Sequence, residues 1–304
     1  MKAVITGATG AIGRALIDEM IERGFEILVL CRAASPRSAT LPKSPLVKII
    51  DCPLSVMESY VPRENEKYDV FFHFAWEGTT GGSRNDMYLQ NQNVKYTLDA
   101  VALAKRFGCH TFIGAGSQAE YGRVEGKLNG ETPTFPENGY GMAKLCASEM
   151  SRVMCEKEGM RHIWTRILSV YGPHEGEYSM VGATIRRLMA GERPSFTPAE
   201  QIWDYMYSGD IAKAMVALAE SGKHGRIYCL GSGQPRKLSE YIEMIRDAVD
   251  PKAELGIGDV PYAPKQVMYL CADISALKED TGYVPSTPFE EGIAKTVEWF
   301  KNSK

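Results

Sequence analysis

Short, wholly apolar runs alternate along this chain with segments whose apolar residues return every three or four positions. Ala3-Val4-Ile5 is the first run, and Glu26-Ile27-Leu28-Val29-Leu30-Cys31 the second. Leu46–Asp51, Asp69–Ala75, His110–Gly114, Ile163–Leu168 and Arg226–Leu230 follow. Runs apolar at consecutive positions predict strands buried on both faces, as in parallel sheets. Helical spacing predicts helices over Ala15–Met20 and beyond to Gly24, over 85–107, over 140–158, over Val181–Ala190 and over 210–220. Gly24, Gly108 and Gly159 stand where three of these helices must stop. Alternating strands and helices of this length predict an α/β fold, a parallel sheet covered on both faces. After Tyr171-Gly172-Pro173 the pattern loosens into polar loops, helices and Pro/Gly breaks.

The turn after the first strand sharpens that picture. Thr6-Gly7-Ala8-Thr9-Gly10-Ala11-Ile12-Gly13 joins a buried strand to a helix with G-x-x-G-x-x-G spacing. Gly7 permits a tight turn, Gly10 lets a pyrophosphate approach the backbone, and Gly13 lets helix and strand pack closely. Free N–H groups at the helix start complete a dinucleotide cradle. The expected architecture is therefore a Rossmann-type doubly wound sheet. Residues 1–172 form the dinucleotide-binding part, with 206–232 returning to it. Residues 173–205 and 233–304 form a smaller, interleaved C-terminal substrate lobe. About twenty residues beyond the glycines an acid would hold the ribose 2′-hydroxyl of NAD. Cys31-Arg32 stands there, with Ser35 and Arg37 close behind. A cation at that spot favours a 2′-phosphate, so NADP is expected, with NAD the alternative.

Composition narrows the classes. The net charge is −3 and no basic run stands out, which gives no sign of a nucleic-acid surface. No apolar run approaches the roughly 18 residues of a membrane span, and a strand starting at Lys2 leaves no room for a signal peptide. The seven cysteines are scattered, odd in number and without C-x-x-C, as expected of reduced thiols in the cytoplasm. The five histidines make no ligand spacing with them, and no metal is expected. His73 lies inside an apolar run and reads as a core histidine.

Chemistry enters at two places. Ser117 follows a strand end, where ligands sit in open parallel sheets. Tyr140 and Lys144 open a helix four residues apart and share a face. A phenol with a reference pKa of about 10 is a proton donor near neutral pH. A neighbouring ammonium would stabilise its phenolate and make it a usable general acid or base. Lys144 can also hydrogen-bond a cofactor ribose, and Ser117 can orient a substrate oxygen.

With the glycine loop, these residues resemble the short-chain dehydrogenase/reductase superfamily, in its extended nucleotide-sugar epimerase/dehydratase/reductase branch. The likeness runs through Gly7–Gly13, Asp51, His73-Phe74-Ala75, Asn93-Val94, Ser117…Tyr121-Gly122, Tyr140…Lys144, Arg166…Tyr171-Gly172-Pro173 and Trp203…Asp210. The resemblance implies a catalytic Ser117, Tyr140 and Lys144. It implies cofactor contacts at Gly7, Thr9, Gly10, Ala11, Ile12, Gly13, Asp51, Cys52, Phe74, Ala75 and Asn93, besides Arg32, Tyr140 and Lys144. It also implies a nucleotide-sugar substrate and a homodimer built on the helices at 85–107 and 140–158.

The departures from the family pattern matter as much. The branch's dehydratases carry an Asp-Glu pair where Gln118-Ala119 stands, so 4,6-dehydration is disfavoured. Decarboxylating members use a Glu, and 3,5-epimerising reductases a Cys, where Ala119 stands. Hydride chemistry at C4 remains, either reduction of a 4-keto-6-deoxyhexose or 4-epimerisation. Arg32 tilts the reading to a reductase, since net reduction draws on NADPH. A non-enzymatic dinucleotide sensor is the reading from another class. Ser169 and Trp203 replace the Asn and Arg that many relatives use on the diphosphate, and Ala263 stands where a second diphosphate Arg aligns best. Arg186 is one candidate cation in their place, with Arg187, Arg193 and Lys265. Gln118, Glu120, His174 and Glu175 are candidate sugar contacts, and Ser169 and Trp203 stand with Arg186 as candidate substrate contacts.

Overall fold

In the computed structural model, which describes residues 1–32, 35–176 and 178–303, the apolar runs pair as one parallel sheet. The chain runs β1 (Lys2–Thr6), α1 (Ala11–Glu22), β2 (Glu26–Cys31), β3 (Val47–Asp51), β4 (Val70–His73), α2 (Met87–Arg106), β5 (Thr111–Ser117), α3 (Gly139–Lys157) and β6 (Arg161–Ile167). It continues β7 (Ser169–Tyr171), α4 (Met180–Met189), β8 (Ser195–Phe196), β9 (Ile202–Trp203), β10 (Tyr205–Tyr207), α5 (Ser208–Ser221) and β11 (Ile227–Leu230). It closes with β12 (Arg236–Lys237), α6 (Leu238–Val249), β13 (Gly256–Ile257), α7 (Ser275–Thr281) and α8 (Phe289–Asn302).

The large sheet has the order β11-β6-β5-β4-β1-β2-β3. Strand order reverses at β1, which pairs with β2 on one side and β4 on the other. In an open parallel sheet the crevice at that switch point, beyond the carboxyl ends, is where ligands bind. Successive residues of a strand face opposite sides, and the core divides accordingly. Val4, Leu28, Phe71 and Phe112 pack under Ala100, Val101 and Leu103 of α2. Ala3, Ile5, Ile27, Val29 and Phe72 pack under Leu16, Ile17 and Met20 of α1 and Ile211 and Met215 of α5. Burial on both faces is why these strands read as unbroken apolar runs.

Beyond Gly172, helices α4, α6 and α8 bury their own cluster, with Val181, Ile185, Tyr241, Ile245, Ile293 and Val297. Two buried carboxylates tie this part to the sheet. Asp204 accepts from the Ser232 N–H at 2.7 Å and from the Gly233 and Ala272 N–H groups at 3.0 Å. Asp210 accepts from the Thr287 N–H at 2.8 Å and the Tyr283 hydroxyl at 3.1 Å. The sequence gives no strand between 173 and 205, yet β8 and β9 lie there. Each is two residues long, and pairs with the equally short β13 and β12, too short to carry any periodicity.

Candidate active site

The glycine turn after β1 is built for close approach on three sides. Gly7 has φ +72°, and a Cβ there would lie 2.6 Å from the backbone at Phe74 and Ala75, beyond the end of β4. A Cβ at Gly13 would lie 2.4 Å from the Gly7 carbonyl oxygen. Both glycines are therefore demanded by the chain's own packing. Gly10 differs: a Cβ there would meet nothing closer than 3.8 Å. Its bareness leaves open space in front of α1, whose first turn has no side-chain cap. Uncapped N–H groups facing an open cleft form an anion site.

That cleft has a volume of about 320 Å³. Gly7, Thr9 and Gly10 line its floor; Cys31, Arg32, Ser35, Arg37 and Cys52 line one end; Phe74, Ala75, Trp76 and Glu77 line the other. Ala11, Ile12 and Gly13 form the first turn of α1 behind the floor. Asp51 ends β3 opposite Cys31 and is exposed. Asn93 is buried, and its amide spans the Glu77 backbone, accepting from its N–H and donating to its carbonyl at 2.9 Å each. It shapes the cleft rim from behind. His73 is a core residue as read from the sequence. Its Nδ1 lies 2.9 Å from the Thr6 hydroxyl, and burial, with the Lys144 charge second, pushes it down to about 3.

Ser117 of β5 and Tyr140 and Lys144 of α3 come together beside Trp76, which lines the cleft. Asn138 caps α3 by accepting the Gly141 N–H at 2.9 Å, which fixes the turn carrying Tyr140. The Ser117 hydroxyl lies beside the Tyr140 phenol. Burial pushes that phenol up, while Ser117 and the Arg84 guanidinium pull it down. Lys144 is buried, and its Nζ donates to the Ala115 carbonyl at 2.6 Å. Burial pushes it down to about 7, opposed by Glu120.

Two site residues escape sequence reasoning. Arg84 places its guanidinium carbon 4.3 Å from the centre of the Tyr140 ring. Trp76 stands edge-on to that ring at 6.0 Å, and its own ring centre lies 3.7 Å from the Lys144 Nζ. Arg84 sits in the 3₁₀ turn Gly81–Asn85, and Asn85 accepts the Gly139 N–H at 3.0 Å, docking that turn on the start of α3. A glycine-rich stretch at 78–82 is the sequence trace of this close packing.

The candidate sugar contacts separate into groups. Gln118 borders Ser117, and its buried Oε1 has no hydrogen-bond partner among the described residues. Ser169 and Trp203 are bound to each other, the indole N–H donating to the hydroxyl at 2.8 Å. Glu120 is a correction: it is fully buried, paired with Arg166 at 2.8 Å, and cannot reach a sugar. His174 and Arg186 are also engaged elsewhere. His174 packs on Trp299 of α8 with ring centres 4.6 Å apart and borders a separate cleft with Ala11, Arg14 and Asp18. Arg186 donates to the Gly176 carbonyl at 3.0 Å and lies over Phe300. Glu175 is enclosed beside them, and burial pushes its carboxyl up to about 7. Among the described residues no His/Cys/Asp/Glu cluster can hold a metal, and no helix is long and apolar enough to cross a membrane.

Comparison with known proteins bears on the fold and the family. The model of the NAD dependent epimerase/dehydratase family matches residues 3–231. A dTDP-glucose 4,6-dehydratase of Streptomyces antibioticus is 24% identical over 327 residues, covering 100% of this chain and 93% of that protein. Dehydratases of the same description from Xanthomonas campestris and Escherichia coli align over 51–57% of their own length. Among solved structures, a UDP-N-acetylglucosamine 4-epimerase from Methanobrevibacter ruminantium superposes with a TM-score of 0.87 at 24% identity, covering 100% of this chain and 99% of that one. The RMD protein of Pseudomonas aeruginosa, solved with NADPH, superposes with a TM-score of 0.82 at 21% identity and the same coverage.

Proposed function

Because the chain belongs to the NAD-dependent epimerase/dehydratase family, whose model matches residues 3–231, we propose that it is an NADPH-dependent reductase acting at C4 of a nucleoside-diphosphate 4-keto-6-deoxyhexose. One observation carries the reading: Trp76, which lines the cleft together with Arg32, Ser35 and Arg37, packs against both Tyr140 and Lys144. When bound, the nicotinamide supplies hydride to the carbonyl carbon. Tyr140 gives its phenolic proton to the nascent C4 oxygen. Ser117 holds that oxygen by hydrogen bond, and the Lys144 ammonium stabilises the phenolate left behind. The Gln118 Oε1, a buried acceptor without a donor, fits a sugar hydroxyl. Gln118 and Ala119 supply no acid/base pair for dehydration. Residues 173–205 and 233–304 form the substrate lobe in this reading.

The test is cofactor consumption, followed by absorbance, against 4-keto-6-deoxyhexoses linked to TDP, CDP, GDP and UDP. The expected outcome is stoichiometric loss of NADPH with one carrier. No consumption, from protein that purifies with NAD bound, favours the second reading, a nucleotide-sugar 4-epimerase. The shared fold of the UDP-N-acetylglucosamine 4-epimerase supports that alternative.

The outer face of α2 and α3 fits a second copy of the chain. Met142, Met150 and Val153 project along α3, and Met87 and Tyr88 from the start of α2, all exposed. Burying such a strip against its twin removes apolar surface from water. Light scattering should give twice the subunit mass, and the double substitution Met150→Glu with Val153→Glu should give the monomer. A monomeric wild type overturns the homodimer.

A further inference from the structure

We propose that Glu120 is a positioning residue for proton transfer: its carboxylate fixes Ser117 from behind and supplies the negative charge against which Tyr140 stays a phenol and Lys144 an ammonium. The inference rests on the reading of Tyr140 as the proton donor. Glu120 is fully buried in the turn after β5. Its Oε1 accepts the Ser117 N–H at 2.7 Å and the Trp164 indole N–H at 3.1 Å. Its Oε2 accepts the Arg166 Nε–H at 2.8 Å. Burial pushes its carboxyl up, against the Arg166 charge and these hydrogen bonds; since every partner is a donor and a carboxylic O–H would find no acceptor among them, the geometry favours the ionised form. Packing for the sake of the ion pair would need only Arg166. The contact to the Ser117 backbone is additional, and it fixes the residue whose hydroxyl lies beside the Tyr140 phenol.

Two glycines press this turn against the site. A Cβ at Gly116 would lie 2.4 Å from the Glu120 Oε1, and one at Gly141 would lie 2.2 Å from the Ala119 carbonyl oxygen. The start of α3, with Tyr140 and, one turn on, Lys144, therefore rests on the turn that carries Glu120. The charged and titratable groups around it come from each packed element. Tyr140 and Lys144 face it from α3, with neutral His73 on β4 beside Lys144, Arg84 over Tyr140 from the 3₁₀ turn, and Arg166 from β6. Tyr121 and Cys229 lie behind Arg166. Glu120 is the anion that acts on both Tyr140 and Lys144, and it raises both. Removing it favours phenolate and disfavours ammonium, so both groups titrate at lower pH.

Glu120→Gln tests this, since it keeps the size and loses the charge. The alkaline limb of the pH profile for NADPH-dependent reduction should move about one unit towards acid. The phenolate absorbance of Tyr140 in the free protein, isolated as the difference from matching Tyr140→Phe proteins, should move the same way. Glu120→Asp keeps the charge and should restore the limb. Glu120→Gln strands a buried Arg166. If that protein does not fold, Glu120→Gln with Arg166→Gln removes both charges, and the limb should still move towards acid but by less, because the Arg166 cation paired with the carboxylate partly offsets its field. A lower rate with an unmoved limb and an unmoved phenolate titration would leave Glu120 a structural residue and overturn the proposal. If the wild type reduces no 4-keto sugar, the functional reading fails while the phenolate titration still decides the role of Glu120.

Discussion

Replacing Tyr140 with Phe should lower turnover about a hundred- to ten-thousand-fold, the usual span for losing a general acid, and leave cofactor binding in place. The ring of Tyr140 is held by contacts that Phe keeps: Trp76 edge-on at 6.0 Å and Arg84 over its face at 4.3 Å. The cleft floor at Gly7, Thr9 and Gly10 is made by another element and is untouched. What disappears is the hydroxyl beside Ser117, and with it the proton for the C4 oxygen. Single-turnover rates should therefore fall while NADPH titrates the variant as it does the wild type. Ser117→Ala acts on the same proton, so the double variant should be little worse than Tyr140→Phe alone. Full turnover in Tyr140→Phe would remove the phenol from the chemistry. Unchanged behaviour in a protein with no turnover to lose would point to the dinucleotide sensor.

The parts of this molecule legible in the sequence are those with a repeating or strict local cause. Ile27 to Leu30 read as a buried strand because both faces of β2 meet helices, so every position is apolar. Gly7 and Gly13 read as a nucleotide turn because any Cβ there collides with backbone. Tyr140 and Lys144 read as a pair because one helix turn separates them. Contacts between distant segments leave no such trace. Glu120 beside Ser117 looks like a sugar ligand until its partner Arg166, on the next strand of the sheet, is seen to claim it. Arg84 and Trp76 reach the site from a loop more than fifty residues before Tyr140, with nothing in their spacing to announce it. Ser169 and Trp203 look like two substitutions in a diphosphate site. The structure joins them in one hydrogen bond, from the indole N–H to the hydroxyl. His174 follows Gly172-Pro173, but a φ of +62° turns the chain so that its ring packs on α8.

Arg32→Ala should raise the Michaelis constant for NADPH about ten- to a hundred-fold and leave that for NADH nearly unchanged. Arg32 lies at the end of the cleft with Ser35 and Arg37, just after β2, where the ribose of a dinucleotide on the Gly10 turn would arrive. It is exposed. A charged hydrogen bond to a 2′-phosphate contributes about 1.5–3 kcal/mol, and each 1.4 kcal/mol is tenfold in affinity. NADH has no phosphate there, so the loss should fall on one cofactor alone. Arg32→Asp should go further and reverse the preference, because a carboxylate repels the phosphate and accepts the ribose hydroxyls. Raised salt should weaken NADPH binding to the wild type more than to Arg32→Ala, since the lost contact is ionic and exposed. Equal losses for both cofactors would mean that Arg32 supports the cleft without reading the phosphate. A wild type that already prefers NADH would remove the ground for net reduction. The chemistry of Tyr140 and Lys144 would stand, and the hydride would return to the same sugar, as 4-epimerisation requires.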